Sequence, residues 1–238
     1  MAAANQDEAQ TQRAYYAQRA RRYDDAHVHA GDEHHMAMSF MVGAFDYLNV
    51  RSVLDIGSGT GRVLEHLKRC APQVERHGIE PVPELREVAY RKGISREELS
   101  EGDATQIAHA DGAFDLVCAF GVLHHVRDHG RVVREMLRVA RKGIFISDAN
   151  NFGKGSTMKR AVKQVLHATG LWPIANLVKT GGRGYMITDG DGLAYSYSVF
   201  DDYPIVRAAC RSVHVLNTLD SQVNPYRSAS HVALLGIK

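Results

Sequence analysis

Residues 53–62 read VLDIGSGTGR, and this stretch decides the fold. A short apolar run ends at Gly57, Gly59 and Gly61, and the helix-forming GRVLEHLKRC follows. That order predicts a buried strand, a tight turn and a helix. Glycine lets a backbone approach a ligand closely and take dihedrals closed to other residues. The helix start adds free N–H groups and the positive end of its dipole. A dinucleotide fingerprint needs a further glycine at position 62, where arginine stands, so a pyrophosphate ligand is disfavoured. Asp55, just before the glycines, can accept from an ammonium group. Glu80 ends the next expected strand, VERHGIEP, where an acid can accept both hydroxyls of a ribose. Asp103, in EGDA, either receives an exocyclic amine or caps the following segment. The set asks for a ligand with an amine, a ribose and an adenine, and no phosphate.

Outward from this stretch, strands and helices alternate. VPELREVAYRKG predicts a helix, FDLVCAF a buried strand, VRDHGRVVREMLRVARKG an amphipathic helix closing at Gly143, and GIFISDANN another strand. A short strand is expected near ELSEGDA. Such βαβ units imply a parallel sheet. Residues 152–200 break the rhythm: GSTMKRAVKQVLHATG reads as a helix, and RGYMIT and LAYSYSVF as a hairpin joined at DGDG. DDYPIVRAACRS reads as a helix, and VHVLNT and SHVALLGIK as a final antiparallel pair. At the other end, residues 1–10 are expected to fray, residues 11–24 to form a helix, and residues 37–50 a second one.

The 238 residues suit one large α/β domain. A net charge of +2 gives no electrostatic argument for nucleic acid. Cys70, Cys118 and Cys210 show no CxxC spacing and read as reduced cytosolic thiols. No run reaches the length of a membrane span, and the N-terminus lacks the pattern of a secretory signal. A cytoplasmic chain with no nucleic-acid or membrane partner is expected.

VLDIGSGTG, GIEP, EGDA and FDLVCAFGVLHHV, in this order and spacing, resemble class I S-adenosylmethionine-dependent methyltransferases of small-molecule type, similar to those of ubiquinone and menaquinone pathways. The resemblance covers roughly residues 24–148 and the terminal strand pair. It implies a Rossmann-like three-layer α/β sandwich: a seven-stranded, mostly parallel sheet with a reversed last strand, an N-terminal helical lid (1–36) on the methyltransferase domain (37–238), and a substrate-specificity insert (152–200) before strand six. It implies S-adenosylmethionine as cofactor, leaving S-adenosylhomocysteine. Asp55, Gly57, Ser58, Gly59 and Gly61 would hold the methionine end and Glu80 the ribose. Pro81, Asp103 and Ala104 would surround the adenine, and Phe120 and Gly121 would lie near the sulfonium. Tyr15, Tyr16 or Tyr23 would touch the methionine portion or the substrate from the lid.

Methyl transfer has a good leaving group, so alignment carries much of the catalysis, and an alcohol or ammonium acceptor also needs a base. His124 and His125, where the fourth strand exits, are the candidate bases; otherwise they shape the pocket or cap the next helix. Related enzymes place acidic metal ligands here, but Gly121 stands at the first of these positions, and no metal is expected. Base-modifying enzymes of nucleic acids carry an Asn/Asp-Pro-Pro-aromatic exit instead, so a small-molecule acceptor of oxygen or nitrogen type is favoured. Asn150 and Asn151 either bind a polar substrate or form an Asx turn. Tyr185, Tyr195 and Tyr197 either wall the substrate site or pack within the insert. In HVHAGDEHHM (27–36) the histidine spacing matches no strong zinc pattern. The segment reads as pocket edge, with His29, another histidine or Asp32 reaching substrate. Two other functions stay open: an RNA-modifying methyltransferase, and a non-catalytic cofactor-binding subunit. The hairpin edge offers a surface for homodimer formation.

Overall fold

The computed structural model describes residues 2–29, 31–219 and 221–238. Met1 and Ala30 of the expected lid and Asp220 of the last polar link lie outside them. The order is α1 (Ala2–Arg19), a 3-10 turn (Ala20–Arg22), α2 (Tyr23–His27), α3 (Glu33–Gly43), α4 (Phe45–Leu48), β1 (Ser52–Ile56), α5 (Arg62–Cys70), β2 (Glu75–Ile79), α6 (Pro83–Arg91), β3 (Leu99–Ser100) and β4 (Phe114–Phe120). A 3-10 turn (Leu123–His125) follows, then α7 (His129–Val139), β5 (Ala140–Ala149), a 3-10 turn (Asn151–Gly153), α8 (Thr157–Ala168), α9 (Trp172–Lys179), β6 (Tyr185–Thr188) and β7 (Gly192–Tyr195). A last 3-10 turn (Val199–Asp201) leads to α10 (Tyr203–Ala209), β8 (Ser212–Asn217) and β9 (His231–Ile237).

The main sheet has seven strands in the order β3-β2-β1-β4-β5-β9-β8, and only β9 runs against its neighbours. β1, flanked by β2 and β4, has every residue buried. Strand alternation sends Leu54, Ile56, Val117 and Ile144 to one face, against Val132, Val133 and Met136 of α7. Val53, Leu116, Cys118 and Phe145 face the other way, onto Met38 and Met41 of α3 and Leu67 of α5. This is the expected three-layer sandwich with its reversed strand, and the insert enters before β8. The expected lid boundary at 36/37 falls inside α3.

Four local expectations are corrected. The helix before β5 ends at Val139, four residues short of Gly143, because Ala140 pairs with Phe114 and Gly143 with Leu116 and Ile237. Gly143 is a sheet glycine: a Cβ there would meet the Gly236 carbonyl at 2.5 Å. The N-terminal helix spans the residues expected to fray, held where Glu8 pairs with Arg127 at 2.6 Å and accepts from the Tyr195 hydroxyl at 2.6 Å. β7 stops at Tyr195, so Tyr197 leaves the hairpin. α9 was not anticipated; Gly170 closes the helix before it and Pro173 sits in its first turn.

Candidate active site

β1 ends in a backbone cradle. Gly57 and Ser58 both donate from nitrogen to the Ile79 carbonyl, at 2.8 and 3.1 Å. Gly57 has φ +66°, and a Cβ there would lie 2.6 Å from a Val122 methyl, so no other residue fits. Glu80 has a structural task that its position at a strand end did not suggest: it accepts from the Gly59 nitrogen at 2.9 Å and the Val82 nitrogen at 2.8 Å, stapling the turn to α6. Burial raises its pKa.

Asp55 is the anomaly. It is 1% exposed, its Oδ1 meets only the Cys118 thiol at 3.7 Å, and its Oδ2 has no partner among the described residues. Burial pushes its carboxyl up to about 7. A buried carboxylate oxygen at the mouth of a glycine turn fits a ligand ammonium.

Two cavities meet at this turn. The larger, about 700 Å³, is lined by Gly57, Gly59, Glu80, Pro81, Asp103 and Ala104, with Gln12, Arg13, Tyr16 and Tyr23 from the lid. The smaller, about 290 Å³, is lined by Asp55, Ser58, His29, His124, Asp191 and Lys154, and also by His34 and His231. Tyr16, Tyr23, Gly57, Phe120, Gly121 and His125 border both. Their volumes lie in the range of small-molecule sites. Asp103 caps its own turn, Oδ1 accepting from Thr105 nitrogen at 2.8 Å, and its Oδ2, on the cavity wall, is paired with Arg13 at 2.9 Å.

The two adjacent histidines differ in charge. His124 Nδ1 lies 2.6 Å from Asp148 Oδ1, and its Nε2 lies 3.3 Å from Asp191 Oδ2. Burial alone would lower its pKa, but the two carboxylates outweigh burial and raise it to about 10. His124 is therefore an imidazolium at neutral pH. Burial, and then the charge of His124, hold His125 down at about 4. Its Nδ1–H donates to the Leu193 carbonyl at 2.7 Å, leaving Nε2 to accept from the Tyr16 hydroxyl at 2.8 Å.

The lid and the insert grip each other over these groups. Leu193 nitrogen donates to Gln12 Oε1 at 2.5 Å, Gln12 Nε2 to the Asp191 carbonyl at 3.2 Å, and the Tyr15 hydroxyl to the Asp189 carbonyl at 2.6 Å. The DGDG turn thereby delivers Asp191 to the histidine pair, a role that its turn sequence did not reveal.

Several expected contacts are corrected. Tyr15 borders neither cavity; its hydroxyl is spent on the hairpin. Gly61 packs instead on Ala89 and Ile94. Asn150 takes the Asx-turn alternative, its Oδ1 accepting from Phe152 nitrogen at 3.2 Å, while its buried amide donates to the carbonyls of Pro225, Tyr226 and Ala229. Asn151 opens a 3-10 turn and lines neither cavity. Tyr197 is buried, donating to Asp202 Oδ2 at 2.9 Å. Tyr185 and Tyr195 pair across the hairpin, rings 6.1 Å apart; Tyr195 edges the larger cavity and Tyr185 reaches neither.

The histidines of 27–35 separate. His27 packs on the Tyr23 ring at 4.7 Å, His29 reaches the smaller cavity, His34 faces Ser147 at 3.3 Å, and His35 packs on His66. Glu33, His34 and His231 bring ligand atoms within 4.8 Å of one another, as do His124, His125 and Asp191.

Residues 54–147 match a family model described as "Methyltransferase domain". The chain is 38% identical over 97 residues to a demethylmenaquinone methyltransferase of Deinococcus radiodurans, covering 39% of this chain and 40% of that protein. It is 32% identical over 138 residues to a phosphatidylethanolamine N-methyltransferase of Cereibacter sphaeroides, covering 50% of this chain and 61% of that protein. The chain thus spans 40% and 61% of these relatives' length. Its fold matches the structure of an S-adenosylmethionine-dependent methyltransferase from Clostridium acetobutylicum with a TM-score of 0.60 at 13% identity, over 93% of this chain and 98% of that one.

Proposed function

We propose, from a chain whose residues 54–147 carry a methyltransferase domain on the class I fold, that it moves a methyl group from S-adenosylmethionine to an oxygen or nitrogen of a small biosynthetic metabolite. The observation that carries this reading is the unpartnered Oδ2 of Asp55 beside the glycine turn. When bound, S-adenosylmethionine supplies an electrophilic methyl on a sulfonium. Everything else falls to the protein.

Asp55 and the Gly57–Ser58 backbone receive the amino-acid end. Each Glu80 oxygen already takes one backbone N–H and keeps capacity for a ribose hydroxyl. Pro81, Asp103 and Ala104 enclose the base end of the larger cavity. Fixing acceptor and methyl in line can contribute up to ~7–11 kcal/mol.

His124 already holds its proton, so it serves as a fixed cation that orders Asp148 and Asp191. His125 is the base. An acceptor O–H or N–H passes its proton to the Tyr16 oxygen as Tyr16 passes its own to His125 Nε2. The imidazoles and acids of the smaller cavity suit a polar acceptor, with His29 at its edge. The three unpaired thiols are consistent with a cytoplasmic setting.

Titration calorimetry of the purified chain with S-adenosylmethionine and S-adenosylhomocysteine tests the reading. Saturable one-to-one heat is expected for both. No heat for either overturns it. Transfer of labelled methyl to a metabolite panel, with RNA as a further lane, then identifies the acceptor class.

A further inference from the structure

α8 and α9 are amphipathic helices set the wrong way round. Their apolar side chains face solvent: Met158, Val162 and Val165 on α8, and Ile174, Leu177 and Val178 on α9, all at least half exposed. The spacing puts each trio on one stripe of its helix. Neither helix contributes a buried residue. Polar groups face the protein instead. Lys163 donates to the Asn151 and Lys154 carbonyls, Gln164 to the Arg227 carbonyl at 2.8 Å, and Asn176 accepts from the Ser196 hydroxyl at 2.6 Å. An ordinary surface helix does the reverse, so this face is built to meet something apolar.

Charge says what. Residues 152–188 hold Lys154, Lys159, Arg160, Lys163, Lys179 and Arg183 and no Asp or Glu. Among the described residues, none of these six pairs with a carboxylate. We propose that the α8–α9 hairpin docks on an anionic lipid surface, with its apolar stripes at the acyl boundary and its cations among the headgroups. A second copy of the chain would bring more cations and no acid from this segment to the same contact, which disfavours self-pairing. No helix among the described residues is long and apolar enough to cross a membrane. The expectation of no membrane partner rested on that kind of reasoning, and a hairpin lying on the surface needs no span. Lys154, at the foot of α8, also lines the smaller cavity, so docking would bring the bilayer beside the acceptor site. The inference goes beyond the methyl-transfer reading and does not depend on it.

Vesicle co-sedimentation tests it, with phosphatidylcholine alone and with phosphatidylcholine containing phosphatidylglycerol. The intact chain is expected to sediment with the anionic vesicles only, and less in high salt. Val165→Asp with Val178→Asp, both outward-facing, should weaken vesicle binding at least about tenfold without lowering the melting temperature. Lys159→Glu with Lys179→Glu should abolish the preference for phosphatidylglycerol. No binding to anionic vesicles overturns the proposal. So does a dimer in size-exclusion light scattering that the Val165/Val178 pair dissociates, which would assign the face to a second copy.

Discussion

Replacing Asp55 with asparagine should stabilise the empty protein and weaken its hold on the cofactor. The carboxyl titrates at about 7, against 3.8 for an ordinary aspartate. Three units correspond to about 4 kcal/mol of penalty for keeping the charged form buried. The sign follows from the folded state binding the proton more tightly. The penalty is absent below pH 3.8, grows as pH rises, and is complete above about 7. Asparagine removes the charge and keeps the shape, but its amide is also incompletely satisfied, at about 1–3 kcal/mol. The net gain at pH 8 is therefore about 1–3 kcal/mol, worth roughly 2–10 °C in melting temperature for a domain of this size. Affinity moves the other way. Breaking a buried ammonium–carboxylate pair costs about 2–5 kcal/mol, or roughly 30- to 5,000-fold in dissociation constant. Thermal melts at pH 8 and pH 5, with calorimetry using S-adenosylmethionine at pH 8, measure both arms. The stabilisation should shrink at pH 5. A variant that melts lower at pH 8, or that binds the cofactor like the parent, refutes the reasoning.

Changing His125 to Gln should cut methyl transfer by about 10²–10⁴-fold in single-turnover assays while calorimetric cofactor affinity stays within about threefold; equal losses in both would remove it as base. Gly57→Ala places a Cβ 2.6 Å from Val122 at a positive φ and should lower stability by about 1–3 kcal/mol in urea titrations. His125 and His34 are both held near 4 by burial, so the unfolded chain takes up protons first as pH falls through 6.5. Through these two groups folding stability falls between pH 6.5 and 4, against the opposite contribution of Asp55, and His125→Gln should remove part of that fall; a pH dependence unchanged from the parent would deny that His125 is neutral in the fold.

The sheet was legible because its central strands are buried on both faces and read as unbroken apolar runs between glycine turns. The gathering of Asp55, Glu80 and Asp103 was legible for a related reason: they sit at or just past the ends of successive strands, so chain order alone brings them to one edge. The opposite wall was not. Asp191 reaches His124 from the tip of a hairpin that owes its position to Gln12, nearly 180 residues away. His231 arrives from the last strand. No local pattern encodes such meetings. Asn150 and Tyr197 kept two readings open for the converse reason, since polar residues beside a cleft look the same in sequence whether they face it or brace the loops behind it. At Gly143, helix propensity lost to sheet pairing, which one glycine at the end of a periodic run does not announce.

The handclasp of Gln12, Tyr15 and Glu8 with the hairpin has a temporal consequence. Those contacts tie the lid to the hairpin beside both chambers, so under the proposed reading spent nucleoside would leave after several of them let go together. Each turnover would then wait on these contacts wherever their release is slower than the chemistry beneath. Loosening Glu8 from Arg127 should quicken departure, and the pace of the whole cycle would rise with it even though no reacting group had been touched.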